Sequence, residues 1–290
     1  MRVFLTGATG YIGGAVAATL AKRGHEVAAL VRPESDSKRL RDLGVVIVGG
    51  DVTSLPALTG TIAQYNATVH TAFSIADPVN SDKTAVDVFT SAKPFFLYTS
   101  GVWVLGNGKA DETSKPSPLA IVGWRVGHEQ QVLATGRGAV VRPGCVYGGK
   151  QSMLAQWFAA AEQNQPLQIV GDGNNRWAMV DLNDLADCYV RVLEQRATGI
   201  YHAVDDTHDS LNACAHALAP NGRVEHVPAD AARQKMGVFV DALVVDQVVS
   251  SDQTRRTLGW APARTFSKSI DEQRREWRAS VGPAGAGPSR

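Results

Sequence analysis

The chain is poor in cysteine: Cys145, Cys188 and Cys214 are the only three in 290 residues, widely spaced and never in a Cys-x-x-Cys pair. That spacing argues against a disulfide framework and a zinc site, and the thiols are expected as reduced packing residues. Long apolar runs are also missing. Runs such as 45–48 and 139–141 fall far short of a membrane-spanning helix, and Met1-Arg2-Val3 leads into a strand pattern without a signal-peptide layout. The expectation is a cytoplasmic protein with no membrane partner. Nor is there an excess of charge, since 29 Lys and Arg stand against 28 Asp and Glu for a formal +1. Such a balance carries no electrostatic footprint for nucleic acid or an anionic lipid surface, which leaves a small molecule as the expected partner.

With 44% hydrophobic residues, the chain can bury a full core. Its first half alternates apolar strand patterns at 3–6, 26–31, 45–48, 67–71, 95–99 and 139–142 with helical patterns at 12–23, 37–43, 55–64, 82–91 and 119–135. The alternation predicts an α/β fold with a doubly wound parallel sheet of the Rossmann kind. The second half is less regular, with a helix at 153–163, a strand near 177–180, a helix at 182–195 and a strand at 199–203. We therefore expect a dinucleotide-binding core over 1–150, a mixed substrate-binding lobe with returning core elements over 151–280, and a frayed Gly- and Pro-rich tail at 281–290.

The most informative stretch is Thr6-Gly7-Ala8-Thr9-Gly10-Tyr11-Ile12-Gly13, between the first strand and the first helix. There Gly7 allows the sharp turn off the strand, Gly10 lets the backbone approach a pyrophosphate, and Gly13 lets the helix pack close to the sheet. The anion would meet free N–H groups at the helix N-terminus. After the second strand comes Leu30-Val31-Arg32, with no acid to hold a ribose 2′-hydroxyl. Arg32 suits a 2′-phosphate, so NADP(H) is favoured over NAD(H).

These residues resemble the extended or atypical short-chain dehydrogenase/reductases, the group that includes nucleotide-sugar epimerases and dehydratases. Beyond the glycine motif, the resemblance runs through Gly50-Asp51-Val52, Val69-His70-Thr71-Ala72, Tyr98-Thr99-Ser100-Gly101, Arg142-Pro143-Gly144, Tyr147-Gly148, Val180-Asp181, Asp184-Leu185-Ala186 and Leu258-Gly259-Trp260. It implies that Asp51 and Val52 contact the adenine, that Ala72 and Phe73 line the ribose path, and that Pro143 lies beside the nicotinamide. Thr9, Tyr11 and Ile12 belong to the phosphate turn. Arg176 is implied as a holder of a substrate phosphate, next to Trp177. The helical stretches 82–91 and 119–135 match the family's four-helix dimer face, which makes a homodimer the expected assembly. The run His202-Ala203-Val204-Asp205-Asp206-Thr207-His208 falls at a strand end entering a turn, so no metal is expected there.

The chain departs from the family where the chemistry sits. Relatives use a Ser or Thr, a Tyr, and a Lys four residues after the Tyr; here no tyrosine is followed at that spacing by lysine. Alignment on Glu129 puts Arg125 at the Lys position and Ile121 at the Tyr position, and counting back from Gly106 puts Gly101 at the hydroxyl position. Arg125 can bind the nicotinamide ribose and supply fixed charge, but it is no base near neutral pH. The candidate substitutes are Ser100, as a hydrogen-bond donor, and Tyr98 or Tyr147; Tyr98 also reads as a core aromatic. Trp103 and Trp124 flank the region as an aromatic substrate floor. The leading expectation is an NADP(H)-dependent oxidoreductase of a small, apolar or aromatic carbonyl or alcohol. The alternatives are a nucleotide-sugar epimerase or dehydratase and a non-catalytic NADP(H) sensor or regulator.

Overall fold

The computed structural model describes residues 1–282; residues 283–290, most of the stretch read as a tail, lie outside the described residues. Seven strands form one parallel sheet in the order β11-β7-β5-β4-β1-β2-β3. They are β1 (Arg2–Thr6), β2 (Glu26–Val31), β3 (Val46–Gly49), β4 (Ala67–His70), β5 (Phe95–Thr99), β7 (Gly138–Pro143) and β11 (Gly199–Ala203). The chain moves outward from β1 to β3, then crosses back to β4 and builds the other half. The crevice above β1 and β4 is therefore the switch point, where open α/β sheets bind their ligands.

The strands are apolar on both faces because helices cover both. Val3, Leu5, Val69, Leu97, Ala139 and Val141 face α1 (Tyr11–Lys22) and α7 (Leu182–Gln195). Phe4, Phe96, Tyr98 and Val140 point the other way, toward α4 (Pro78–Ser91) and α5 (Arg125–Ala134). Small helices α2 (Lys38–Asp42) and α3 (Thr59–Ile62) complete the first half. The remaining strands pair in twos: β6 (Gly108–Ala110) with β13 (Gln247–Val249), β8 (Cys145–Tyr147) with β10 (Met179–Asp181), and β9 (Leu167–Val170) with β12 (Val224–Val227). Around them lie α6 (Ala155–Glu162), α8 (Leu211–Leu218), α9 (Ala229–Met236), α10 (Val240–Val244), α11 (Asp252–Leu258) and α12 (Ile270–Val281). This second layer has its own core, with Trp157, Phe158, Leu167, Ile169, Leu211, Phe266 and Trp277 buried together.

Several elements differ from the expectation for local reasons. The helix expected over 55–64 is a 3-10 helix, Val52–Leu58, followed by the single turn α3, because Pro56 inside it has no N–H to give. The helix expected from 119 is a short 3-10 turn, Ala120–Val122, and α5 begins only at Arg125. Helix α4 starts four residues early, since Asp77 caps Asn80 N–H at 3.2 Å and Pro78 fits the first turn. Val281, at the head of the stretch read as a tail, closes α12.

One buried ion pair fixes α5 on the sheet. Arg142 of β7 gives a two-pronged contact to Glu129 of α5, at 2.9 and 2.5 Å, and both side chains are buried. Removing one partner leaves an uncompensated charge in the core. Glu129→Leu is expected to cost about 3–5 kcal/mol in urea unfolding, and adding Arg142→Met to recover most of it. A single variant with an unchanged midpoint would show that this pair does not hold α5.

Candidate active site

The glycine turn joins β1 to α1 at the switch point. Gly7 takes φ +80°, and any Cβ on it would press on the backbone of Thr71 and Ala72. A Cβ on Gly13 would overlap the Gly7 carbonyl oxygen and the Thr71 hydroxyl. Thr71 closes this contact by donating its hydroxyl to the Thr6 carbonyl at 2.7 Å. Gly10 differs, since its φ of −86° is ordinary and a Cβ would meet only the Gly7 carbonyl oxygen, at 3.2 Å. It caps α1 without a side-chain hydrogen bond, so the first N–H groups of the helix stay open to an anion. Thr9 is exposed on this turn, and Tyr11 donates its hydroxyl to the Gly148 carbonyl at 2.6 Å, tying the turn to the lobe.

The edge beyond β2 and β3 carries the two residues expected at the adenosine end. Arg32 is solvent-exposed, with its guanidinium 3.4 Å from Glu34. Gly50 N–H bonds the Val31 carbonyl at 3.0 Å, which sets Asp51 beside that strand end. The Asp51 carboxyl caps the 3-10 helix by accepting from Thr53 N–H at 2.9 Å and the Thr53 hydroxyl at 2.6 Å, and this holds it below its ordinary range. Val52 packs against the core below.

Arg125 reaches the carboxyl end of β5, donating to the Thr99 carbonyl at 2.6 Å and the Tyr98 hydroxyl at 3.3 Å. The Trp124 ring lies 4.5 Å from its guanidinium carbon and the Phe73 ring 5.9 Å. Tyr98 in turn donates to Asp82 of α4 at 2.6 Å, and Asp82 also receives His128 at 2.7 Å and His70 at 3.2 Å. His70 closes the chain on the Thr6 hydroxyl at 2.7 Å. Burial works to raise the Asp82 carboxyl, yet the hydrogen bonds from His128 and His70 and the Arg125 charge hold it well below the usual range. For Tyr98 burial dominates and raises the phenol far above its ordinary value. This tyrosine is buried and hydrogen-bonded to a carboxylate, so it is a poor proton carrier near neutral pH.

A cavity of about 680 Å³ opens beside Arg125. Ile12, Phe73, Ser100, Trp103, Ile121, Trp124, Arg125 and Pro143 share its wall. Ser100 is fixed by its N–H to the Val141 carbonyl at 2.8 Å, and its buried hydroxyl has no hydrogen-bond partner among the described residues. Ile121 presents a hydrocarbon where relatives are expected to present a phenol. Ala72, between Thr71 and Phe73, follows β4 at the rim.

Three expected substrate residues lie elsewhere. Tyr147 is fully buried and donates to Asp205 at 2.8 Å, with its phenol raised by burial. Arg176 is engaged by Asp246 through contacts of 2.8 and 2.7 Å, which takes up the fork a phosphate would need. Trp177 donates its indole N–H to the Leu243 carbonyl at 3.2 Å and lines a second cavity. His202 is buried between Arg142 and the Ser250 carbonyl, and among the described residues no three His, Cys, Asp or Glu side chains gather as a metal ion would require. The three cysteines are free and buried.

Residues 3–92 and 129–204 match the family model described as the NAD dependent epimerase/dehydratase family. The chain belongs to that family. An uncharacterised protein of Saccharomyces cerevisiae is 30% identical over 285 residues, covering 90% of this chain and 95% of the relative. A ceramide reductase of Caulobacter vibrioides is 24% identical, covering 98% of this chain and 88% of its own length. The UDP-glucose 4-epimerase of Thermotoga maritima, solved with UDP-glucose, shares the fold with a TM-score of 0.80 at 15% identity, over 97% of this chain and all of that one. This member of the NAD dependent epimerase/dehydratase family is an enzyme of the nicotinamide-dependent reductase, epimerase and dehydratase kind.

Sequence reasoning missed Asp82 and His128, whose partners are remote in the chain, and Met236, Val238 and Phe239, which join the cavity wall from the lobe. The one signal for the last three was an apolar stretch, Met236 to Val240, that begins at the last residue of a charged helix. The two classes of glycine in the turn separate fold from ligand. Gly10→Val is expected to keep a near-normal thermal midpoint while cofactor binding by calorimetry is lost, whereas Gly13→Ala is expected to cost roughly 1–3 kcal/mol of stability through overpacking. A Gly10→Val protein that binds cofactor normally would remove the phosphates from this turn.

Proposed function

We propose that this chain is an NADP(H)-preferring reductase of apolar or aromatic carbonyl compounds that works without a Tyr-Lys pair. The observation that carries the reading is the unpartnered Ser100 hydroxyl, buried in the wall of an otherwise largely apolar cavity beside Arg125 and Pro143. A buried hydroxyl without a partner costs free energy unless a ligand supplies one, and a carbonyl oxygen is the simplest acceptor. The residues fit a dinucleotide: Gly10 leaves room for a pyrophosphate, the α1 N–H groups are open, and Arg125 stands at the end of β5. Bound nicotinamide supplies or accepts hydride. Ser100 donates to the substrate oxygen, and the Arg125 guanidinium stabilises negative charge growing there. The proton comes from water, because Ile121 has none to give and the buried Tyr98 phenol is held by Asp82.

The name of the Caulobacter relative supports reduction of an apolar substrate. Nucleotide-sugar chemistry is disfavoured by Arg176, whose guanidinium is committed to Asp246. The adenosine end is tested by cofactor titration. Wild type is expected to bind NADPH more tightly than NADH, and Arg32→Ala to lose that preference selectively; equal affinities in wild type would withdraw Arg32 from the 2′-phosphate.

The reacting end is tested by turnover in a carbonyl screen. Ser100→Ala and Arg125→Ala are each expected to lose ten-fold or more in kcat/KM, about 1.4 kcal/mol, while Ile121→Val stays active. Full activity in both alanine variants would overturn the assignment. Tight cofactor binding with no turnover of any carbonyl would make the chain a sensor instead.

A further inference from the structure

A second cavity of about 410 Å³ adjoins the first, and the two share Met153, Met236 and Phe239 in their walls. The rest of its wall comes mainly from α6, β9, α8 and α10, with Trp157, Ile169, Leu211 and Leu243 as its large apolar members and the amides Gln156 and Gln168 beside them, and among the described residues no charged side chain lines it. The polar edges of its two indoles are already used: Trp157 donates to the Gln168 carbonyl at 2.9 Å and Trp177 to the Leu243 carbonyl at 3.2 Å. What the tryptophans offer a ligand is hydrocarbon. Phe239 also stands edge-on to Trp103 of the first cavity, with ring centroids 6.0 Å apart. The partition between the chambers is thus two thioethers and one phenyl ring, and methionine adapts readily to apolar ligands of irregular shape. Met153 and Met236 are 38% and 43% exposed, more than two large apolar side chains of a packed core would be.

We infer that the second chamber is the subsite for a long apolar chain, an alkyl or prenyl group, borne by the carbonyl substrate whose oxygen meets Ser100. The assignment rests on the reductase reading for the position of that oxygen. It follows from the wall that the two chambers share and from the second chamber's lining, which among the described residues holds no charged side chain for a phosphorylated substituent. A nucleotide would find no cation there for its phosphates and a sugar only the two amides of Gln156 and Gln168 for its hydroxyls, at a free-energy cost, whereas a chain loses nothing by leaving water.

The test uses the full chain saturated with NADP+, so that a ketone binds without turning over. Calorimetry compares 2-hexanone with 2-dodecanone, in wild type and in two variants of the chamber, Ala160→Phe to fill it and Leu243→Asp to charge it. Each methylene taken from water contributes about four-fold in affinity, so the longer ketone is expected to bind at least ten-fold more tightly to wild type. Both variants are expected to abolish that difference while circular dichroism and cofactor affinity stay normal; if one variant fails to fold, the other carries the comparison. Equal affinities for the two ketones, no binding of either, or an undiminished preference in folded variants would overturn the subsite. NADPH oxidation with the same ketones reads the reductase assignment separately: chain-dependent binding without turnover refutes the reductase and keeps the chamber, and equal turnover of both ketones with no chain-dependent binding does the reverse.

Discussion

A carboxylate buried between α4 and β5 must have all its hydrogen bonds met by protein, and Asp82 meets them with Tyr98, His128 and His70. Two ends of the cofactor crevice hang from this one group. Through Tyr98 it reaches Arg125, and through His70 it reaches Thr6, the last residue before the glycine turn. The guanidinium and the phosphate turn are therefore registered to each other by a polar chain across three neighbouring strands. A single guanidinium nitrogen of Arg125 donates to both the Thr99 carbonyl and the Tyr98 hydroxyl, which fixes this side chain at the end of β5.

The two halves of the molecule use charge differently. In the sheet half one ion pair, Glu129 with Arg142, is buried and joins α5 to β7. In the lobe the ion pairs lie mostly at the surface, the buried Asp181 apart. Arg176 turns to Asp246, and Arg264 gathers Asp181, Glu272 and Glu276. The interior of the lobe is left to tryptophan, phenylalanine and aliphatic residues. Its apolar chamber fits that division, since among the described residues no charged side chain lines it.

Local pattern made much of the fold legible. Strands 26–31, 95–99 and 199–203 and helix 182–195 stand where their apolar periodicity puts them, because each is a continuous run bounded by turn residues. Helix 119–135 was less legible, since periodicity overlooks the 3-10 turn and the break before Arg125. Motif spacing picked out the glycine turn and Arg125 in the sequence, whereas the same count reached Gly101 and left Ser100 only as its neighbour. Asp82 was not. It reads as one more carboxylate on an amphipathic helix, and its burial depends on His128, 46 residues away in sequence. Tyr147 and Arg176 sat at motif positions, but whether such a side chain faces a ligand is decided by Asp205 and Asp246, which lie 58 and 70 residues further on.

The main cavity is built from walls of unequal stiffness. On one side Arg125 and Pro143 sit on elements clamped by Glu129 and Arg142, and shifting α5 against β7 would strain that buried pair, whose rupture is worth about 3–5 kcal/mol. On the other side the segment from Ala229 to Val244 buries only Ala232, Val240 and Ala242, and turns Met236 and Val238 toward solvent. A guest too large for the resting volume finds its room at the cost of that second wall. Accommodation is thus assigned to the lobe and precision to the sheet, so that the position of the reacting atoms is insulated from the size of whatever trails behind them.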